Sequence, residues 1–315
     1  MQHHAVFPLL VLAATGCSPR GAQMARDTIV VFEAASLAVP MHATLDSFAR
    51  QSVPPAVVLE EHGASIELAR RVTELHRVPD VIALADQEVF PQLLMPGVTR
   101  WYATFARNRM VVAYTSRSRH ATAITSANWP SILLRDDVLL GRTDPSLAPA
   151  GYRALLVYRL AETFYREPGL AARLEARTPS RMFRGNAAEL AALLAAGELD
   201  YIVDYESLAI AQGFRYVTLP PQIDLGDAQF AATYGAASVR VERGEDSVEL
   251  RGSPILYGVS MPRAAPHRAA GERFVNYLLG SQGQTILRAF RVDALARPLI
   301  RGDSIPPALT TVGLP

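Results

Sequence analysis

The chain has 315 residues, half of them hydrophobic, and a formal net charge of +1 at pH 7. That length suffices for one large domain or for two lobes of roughly 100–200 residues each. The basic residues are all arginine and lie scattered without aromatic interleaving, which argues against a nucleic-acid surface, and no interior run of about 20 apolar residues suggests a membrane span.

Near the N-terminus, Ala5 to Ala14 forms an apolar stretch too short to span a bilayer as a helix. It runs into Ala14-Thr15-Gly16-Cys17, and Cys17 is the only cysteine. This pattern resembles the lipobox of bacterial lipoproteins, in which the cysteine carries lipid. Residues 1–17 are therefore expected to be a lipoprotein signal peptide and 18–27 a polar tether. The expected place is outside the cell membrane, in the periplasm or at the cell surface, with lipid on Cys17. An ordinary secretory signal with an incidental cysteine is the alternative, and His3 and His4 stand where a basic n-region would carry Arg or Lys.

Downstream, Thr28 to Phe32 is a β-branched run suited to a buried parallel strand. It stops at Glu33-Ala34-Ala35-Ser36, and a helix with Met41, Leu45 and Phe48 inward follows, Pro40 being tolerable near its first turn. A second strand, Ala56 to Glu60, leads through His62 and Gly63 to Ser65 and a helix with Leu68, Val72 and Leu75 inward. Asp80 to Leu84 is a third strand. The later half of Trp101 to Thr115 reads as a strand, and a short helix between Trp129 and Leu140 leads to another.

The loop Asp144 to Arg153 opens a helix whose face is marked by Leu156, Leu160 and Phe164. Asn186 and Glu189 form a capping box, with Gly197 as the glycine that ends that helix. Leu199 to Val203 is a strand ending at Asp204-Tyr205, and a helix runs on to about Gln212. Ser238 to Val241 and Ser247 to Leu250 form a hairpin, Pro254 to Met261 a strand, and two helices follow around Phe274 and from about Gly283 to Ala289. The tail after Arg301 reads as irregular. Strands alternating with helices indicate α/β architecture.

Four strand-to-helix junctions share one pattern: Ser36, Ser65, the loop from Ala148 to Gly151, and Asp204-Tyr205. In open α/β sheets ligands sit beyond the carboxyl ends of strands, where loops feed helix N-termini. Unpaired N–H groups, the helix dipole and hydroxyl donors make such a place an anion site that needs no countercharge. Each serine alone is equally an N-cap of its own helix, Asp204 a cap of the helix at Tyr205, and Tyr205 a packed ring.

The residues also carry a resemblance. VFEAASL (31–37), ELARRVTEL (67–75), PDVIALAD (79–86), WYATFARNRMVVAYT (101–115), NWPSILLRDDV (128–138), PAGYR (149–153), GELDYIVDYESLAIAQGFRYVTLPPQIDL (197–225) and GSPILYGVSMP (252–262) occur in this order. Together they resemble the tungstate/molybdate-binding proteins of ABC importers, the archaeal-type branch of the class II periplasmic binding proteins. The resemblance implies an α/β fold of periplasmic-binding-protein type II, each lobe a mostly parallel sheet flanked by helices and joined by two crossing strands. Lobe 1 would take 28–108 and 253–315, and lobe 2 would take 109–252 with a hairpin insertion near 238–250.

It further implies a binding protein, not an enzyme, without cofactor. Its ligand would be tungstate or molybdate and its partner an ABC permease; the protein itself would be a monomer. Ser36 and Ser65 match hydroxyl donors, Ala148 and Gly151 the second-lobe cradle, and Tyr205 a neighbouring donor. Asp204 matches a carboxylate that ligates the metal centre of the oxyanion. This chain departs from the family at Ala148, where a second carboxylate is expected; Asp144 lies four residues earlier. Ala35 replaces a glycine, and Glu33 adds a negative charge near the cleft. These departures leave four- and six-coordinate binding both open. Another oxyanion such as sulfate, or an enzyme of the same fold, is the alternative function. The ligand-sensing half of a transcription regulator is opposed by the absence of a basic helix-turn-helix region.

Overall fold

The computed structural model describes residues 28–310 apart from 54, 180–181 and 244–245. The signal, lipobox and tether assigned to 1–27, Cys17 included, lie outside the described residues.

The elements in chain order begin with β1 (Thr28–Ala34), α1 (Ala38–Gln51), β2 (Val57–Gly63), α2 (Ser65–Thr73), β3 (Val81–Leu84), β4 (Trp101–Asn108) and β5 (Met110–Tyr114). Next are α3 (Trp129–Leu133), β6 (Leu140–Thr143), α4 (Pro149–Tyr165), α5 (Leu170–Ala176), β7 (Phe183–Arg184), α6 (Ala187–Ala196), β8 (Tyr201–Tyr205), α7 (Glu206–Ala211) and β9 (Arg215–Thr218). The chain ends with α8 (Ala231–Gly235), β10 (Ser238–Arg243), β11 (Asp246–Arg251), β12 (Ile255–Ser260), α9 (Arg268–Leu279), α10 (Ser281–Ala289), β13 (Asp293–Gly302) and α11 (Pro307–Thr310).

The strands form two main sheets, ordered β13-β4-β12-β3-β1-β2 and β7-β6-β8-β5-β9, with β10 and β11 as a separate hairpin. Both sheets are mixed rather than mostly parallel. The pairs β1–β2, β1–β3, β6–β7 and β6–β8 are parallel, as βαβ crossovers require. The pairs that β12 makes with β3 and β4, and β5 makes with β8 and β9, are antiparallel. The reason is the path of the chain. It leaves the first sheet on β4, turns through Arg109 directly into β5 of the second, and returns after the hairpin on β12. A strand entering a sheet from its neighbour has no crossover helix to bring it round parallel.

Local chemistry explains the individual elements. β1 is almost continuously buried because α1, α9 and the sheet cover it, which suits its β-branched run. Pro40 is the third residue of α1, where the missing N–H breaks no intrahelical bond. Asn186 caps α6 by accepting the N–H groups of Ala188 and Glu189 at 3.0 and 3.1 Å, and Gly197 ends it at φ +83°. The cap and its terminal glycine are therefore as the sequence indicates, while the other half of the box differs: Glu189 accepts from Gly185 N–H at 3.2 Å and Asn186 Nδ2 at 2.9 Å instead of the Asn186 N–H.

Other expectations need correction. Trp101 to Thr115 is two strands, since residues 101–108 belong to the first sheet and 110–114 to the second. Leu75 lies beyond the end of α2 and is exposed, and Phe164, in the last turn of α4, is also exposed. The strands β9 and β13 and the helix α5 extend the architecture beyond what periodicity suggests. β13 is paired along β4 as far as Gly302, so only the residues after it leave the sheet.

Candidate functional site

Between the two sheets lies a cavity with about 20 Å³ of accessible space. That is room for a compact ion and not for a sugar or an amino acid. One wall comes from the first sheet: Ala34, Ala35 and Ser36 after β1, Gly63 to Ser65 after β2, and Ala85 after β3. The opposite wall is Thr143 at the end of β6, Ala148 to Ala150 at the start of α4, Ala187 at the start of α6, and Tyr205 at the end of β8. Every contributor sits at the carboxyl end of a strand or the first turn of a helix. That is where an α/β sheet leaves N–H groups without intrahelical partners.

Small residues dominate the lining, so backbone and short side chains form the walls. Ser36 occupies a tight 3-10 turn, Ala35–Leu37, and its buried Oγ has the Tyr257 hydroxyl beside it but no hydrogen bond of proper geometry. Thr143 Oγ1 is buried and unpartnered on the other wall. Ser65 is the first residue of α2, and Ala64, not Ser65, is its cap. Ser65 Oγ accepts the N–H of Ala85 at 3.0 Å, which leaves its hydroxyl proton free to be donated into the cavity. Among the described residues no cationic side chain lines the space, so an occupant would be held by dipoles and N–H or O–H donors.

Arg153 comes nearest to a countercharge, but it is spent elsewhere. From α4 its Nη1 donates to the Ala85 carbonyl at 2.7 Å and to Tyr205 Oη at 2.6 Å, and its Nη2 is 3.2 Å from Asp86. Tyr152 Oη also donates to the Asp86 carboxylate. With the backbone bond from Ile66 N–H to the Leu147 carbonyl at 3.1 Å, these contacts clasp the two walls together. Arg153 thus bridges the two walls of the cavity.

Of the sequence-derived site residues, Ser36, Ser65, Ala148 and Tyr205 meet at this cavity. Tyr205 is buried, its hydroxyl accepts from Arg153, and burial holds it well above the usual phenol range. Gly151 does not line the cavity. A Cβ there would stand 2.5 Å from the Thr143 carbonyl oxygen, so the glycine lets α4 approach the loop after β6.

Asp204 does not line the cavity either. Successive strand residues point to opposite faces, and Asp204 is fully buried behind Tyr205, with Oδ1 accepting the Tyr205 N–H at 2.7 Å and Oδ2 unpartnered. Burial raises its pKa to about 7. Asp144 is occupied in a turn, accepting from Ser146 N at 2.8 Å. Glu33 points away from the cavity and pairs with His62, so its charge faces away from the cavity, and His62 is an exposed residue of β2.

Thr143 and Ala187 are cavity residues that sequence reasoning passed over. The signal for Ala187 was present, since Asn186-x-x-Glu189 marks a helix start. Thr143 closes a four-residue strand whose end could be placed only once the sheet was assembled.

Comparison with known proteins gives the same direction. Residues 29–290 match the model of the family described as bacterial extracellular solute-binding protein. An uncharacterized solute-binding protein of Petrotoga mobilis is 40% identical over 262 residues, covering 82% of this chain and 81% of that one. The molybdate/tungstate-binding protein WtpA of Thermococcus kodakarensis is 31% identical over 325 residues, covering 94% of this chain and 91% of its own. Among solved structures, the periplasmic molybdate-binding protein of Azotobacter vinelandii superposes with a TM-score of 0.61 at 15% identity, over 85% of this chain and 98% of that one. The sulfate-binding protein SubI of Mycobacterium tuberculosis reaches 0.61 at 16% identity, over 84% and 86%. At such identities these two speak for the fold alone. The family match, spanning both sheets, decides the matter: the chain belongs to the bacterial extracellular solute-binding proteins.

Proposed function

We propose that this solute-binding protein captures a tetrahedral metal oxyanion, tungstate or molybdate, in the cavity between its sheets and delivers it to the permease of an ABC importer. The observation that carries this reading is the pair of buried hydroxyls, Ser36 Oγ and Thr143 Oγ1, which line one small cavity from opposite walls and are not held in hydrogen bonds of proper geometry. Buried hydroxyls ordinarily find partners, and an oxyanion between them would accept from both. Ser65 Oγ and the first-turn N–H groups at Ala150 and Ala187 would complete a neutral donor shell. The lobes would be 28–108 with 253–315, and 109–252. Opening of the Arg153 clasp by hinge bending would admit and release the ion. The role is capture and not catalysis; lipid on Cys17 would hold the monomeric protein at the outer face of the membrane.

Isothermal titration of the full chain, purified in detergent, with tungstate, molybdate and sulfate in turn is the direct test. Tight binding of the metal oxyanions and much weaker binding of the smaller sulfate are expected. If neither metal oxyanion gives heat or raises the melting temperature, the reading fails. A six-coordinate centre is the second reading, favoured by the unpartnered Oδ2 of Asp204. Asp204 would have to turn from the Tyr205 N–H toward the metal. Unchanged tungstate affinity and coordination in Asp204→Asn would remove that reading while leaving the first.

A further inference from the structure

On the side of β1 away from the cavity, three metal-ligating side chains come together. Glu33 and His62 are direct partners in the parallel pairing of β1 with β2, and Glu60 lies two residues before His62 on the same face. One ligand atom from each of Glu33, Glu60 and His62 lies within 4.8 Å of the other two. Glu33 is fully buried, and His62 Nδ1 stands 2.9 Å from its Oε1. Neither Glu33 oxygen makes a hydrogen bond of proper geometry, and Glu60 Oε2 is likewise buried and unpartnered. From α1, His42 Nδ1 meets Glu60 Oε1 at 2.8 Å.

A buried carboxylate with unsatisfied lone pairs must take up a proton or a cation. We propose that Glu33, Glu60 and His62 form a binding site for a divalent transition-metal cation. Two carboxylates and one imidazole suit Zn2+ and its neighbours in the transition series. They supply fewer oxygens than Ca2+ requires.

The supporting features of a metal site are present as well. His42 steadies Glu60 from outside, its Nδ1 holding Oε1 as the carboxylate ligands of metal sites are commonly held by a hydrogen bond. His62, with 42% of its side chain exposed, leaves an entry path and an open side for water. Ligand distances of about 2.0–2.2 Å require the three groups to draw closer, through rotation of Glu60 and His62, neither of which is fully buried. The site is separate from the cavity between the sheets, to which none of its residues contributes, and it does not depend on the nature of the captured solute.

Titration of Zn2+ into the oxyanion-free full chain tests the proposal, with Mg2+ as comparator and Co2+ absorption as the report on coordination. Zn2+ should bind with proton release and more tightly at mildly alkaline than at mildly acidic pH, while Mg2+ should not compete. Glu33→Gln, which copies the protonated carboxyl, and His62→Asn, at a half-exposed position, should each weaken binding by about tenfold or more. Zn2+ held elsewhere, for instance by His3 and His4, is the part that survives both substitutions. If all Zn2+ binding survives them, or the Co2+ spectrum is the same in parent and variants, the proposal is overturned.

Discussion

Arg153 and Ala85 are joined across the two walls of the cavity, the guanidinium Nη1 donating to the Ala85 carbonyl at 2.7 Å. The N–H of the same alanine donates to Ser65 Oγ at 3.0 Å. A cavity residue is thus held on one side by the bridge between walls and on the other by a hydroxyl of the cavity lining. The contact between the walls and the hydrogen bond to Ser65 thus meet at a single residue, Ala85.

Arg153→Met should therefore affect stability and binding together. It would leave Asp86, Tyr152 and Tyr205 without the buried cation that organises them, and breaking such a buried network from one side costs about 3–5 kcal/mol. Urea unfolding would measure the loss, and tungstate titration should give a higher Kd with faster release. A variant as stable as the parent would mean that the clasp contributes nothing to the folded state.

The two orphan hydroxyls predict a different pattern. Ser36→Ala and Thr143→Val remove donors that make no hydrogen bond of proper geometry among the described residues, so stability should change little. Each lost hydrogen bond to a charged ligand is worth about 1.5–3 kcal/mol, or roughly ten- to hundredfold in Kd for molybdate. Parallel calorimetry of the single variants separates the effects; unchanged affinity in both would place the ion elsewhere.

Asp204 governs a pH dependence whose sign is fixed by burial. Its carboxyl, raised from the ordinary 3.8 to about 7, keeps in the folded chain a proton that the unfolded chain has released. The stability it contributes is complete below about pH 4 and is lost as the pH rises through about 7. Glu33, raised to about 8, acts in the same direction. Asp204→Asn should thus be increasingly favoured over the parent as pH rises. Urea midpoints compared from acid to mildly alkaline pH would read this, and a pH-independent difference would count against a buried neutral carboxyl.

Gly151 is tested by the smallest possible addition. In Gly151→Ala the new methyl would meet the Thr143 carbonyl oxygen at 2.5 Å and backbone atoms of Asp144 and Pro145 at 2.7 Å. Relief requires the start of α4 to move away from β6, at an expected loss of about 1–3 kcal/mol and with weaker tungstate binding, because Ala148 and Ala150 move with it. Thermal unfolding with and without ligand separates the two effects. A variant matching the parent in both would show that the loop yields at no cost.

Much of this was legible in the chain because the relevant physics is local. The β-branched run at Thr28, the cap at Asn186, the glycine at 197 and the small residues opening α4 each state a strand, a start, a stop or a loop within a few residues. The junctions at Ser36, Ser65, Ala148 and Tyr205 followed from the same grammar, and the cavity contains all four. Periodicity misled where an element ended early. Leu75 continues the apolar pattern of α2 past its last turn and emerges into solvent.

By itself, the sequence determined the α/β alternation, the positions of the helix starts and the solute-binding family, since these reside in short stretches and their order. Only the tertiary structure decided which faces meet. The alternation of side chains along β8 turns Tyr205 to the cavity and Asp204 behind it, and the register of β1 on β2 sets Glu33 beside His62. Thr143 gains its place because β6 ends against α4. Facing depends on registers and crossings between distant segments, and no window of the chain carries that information.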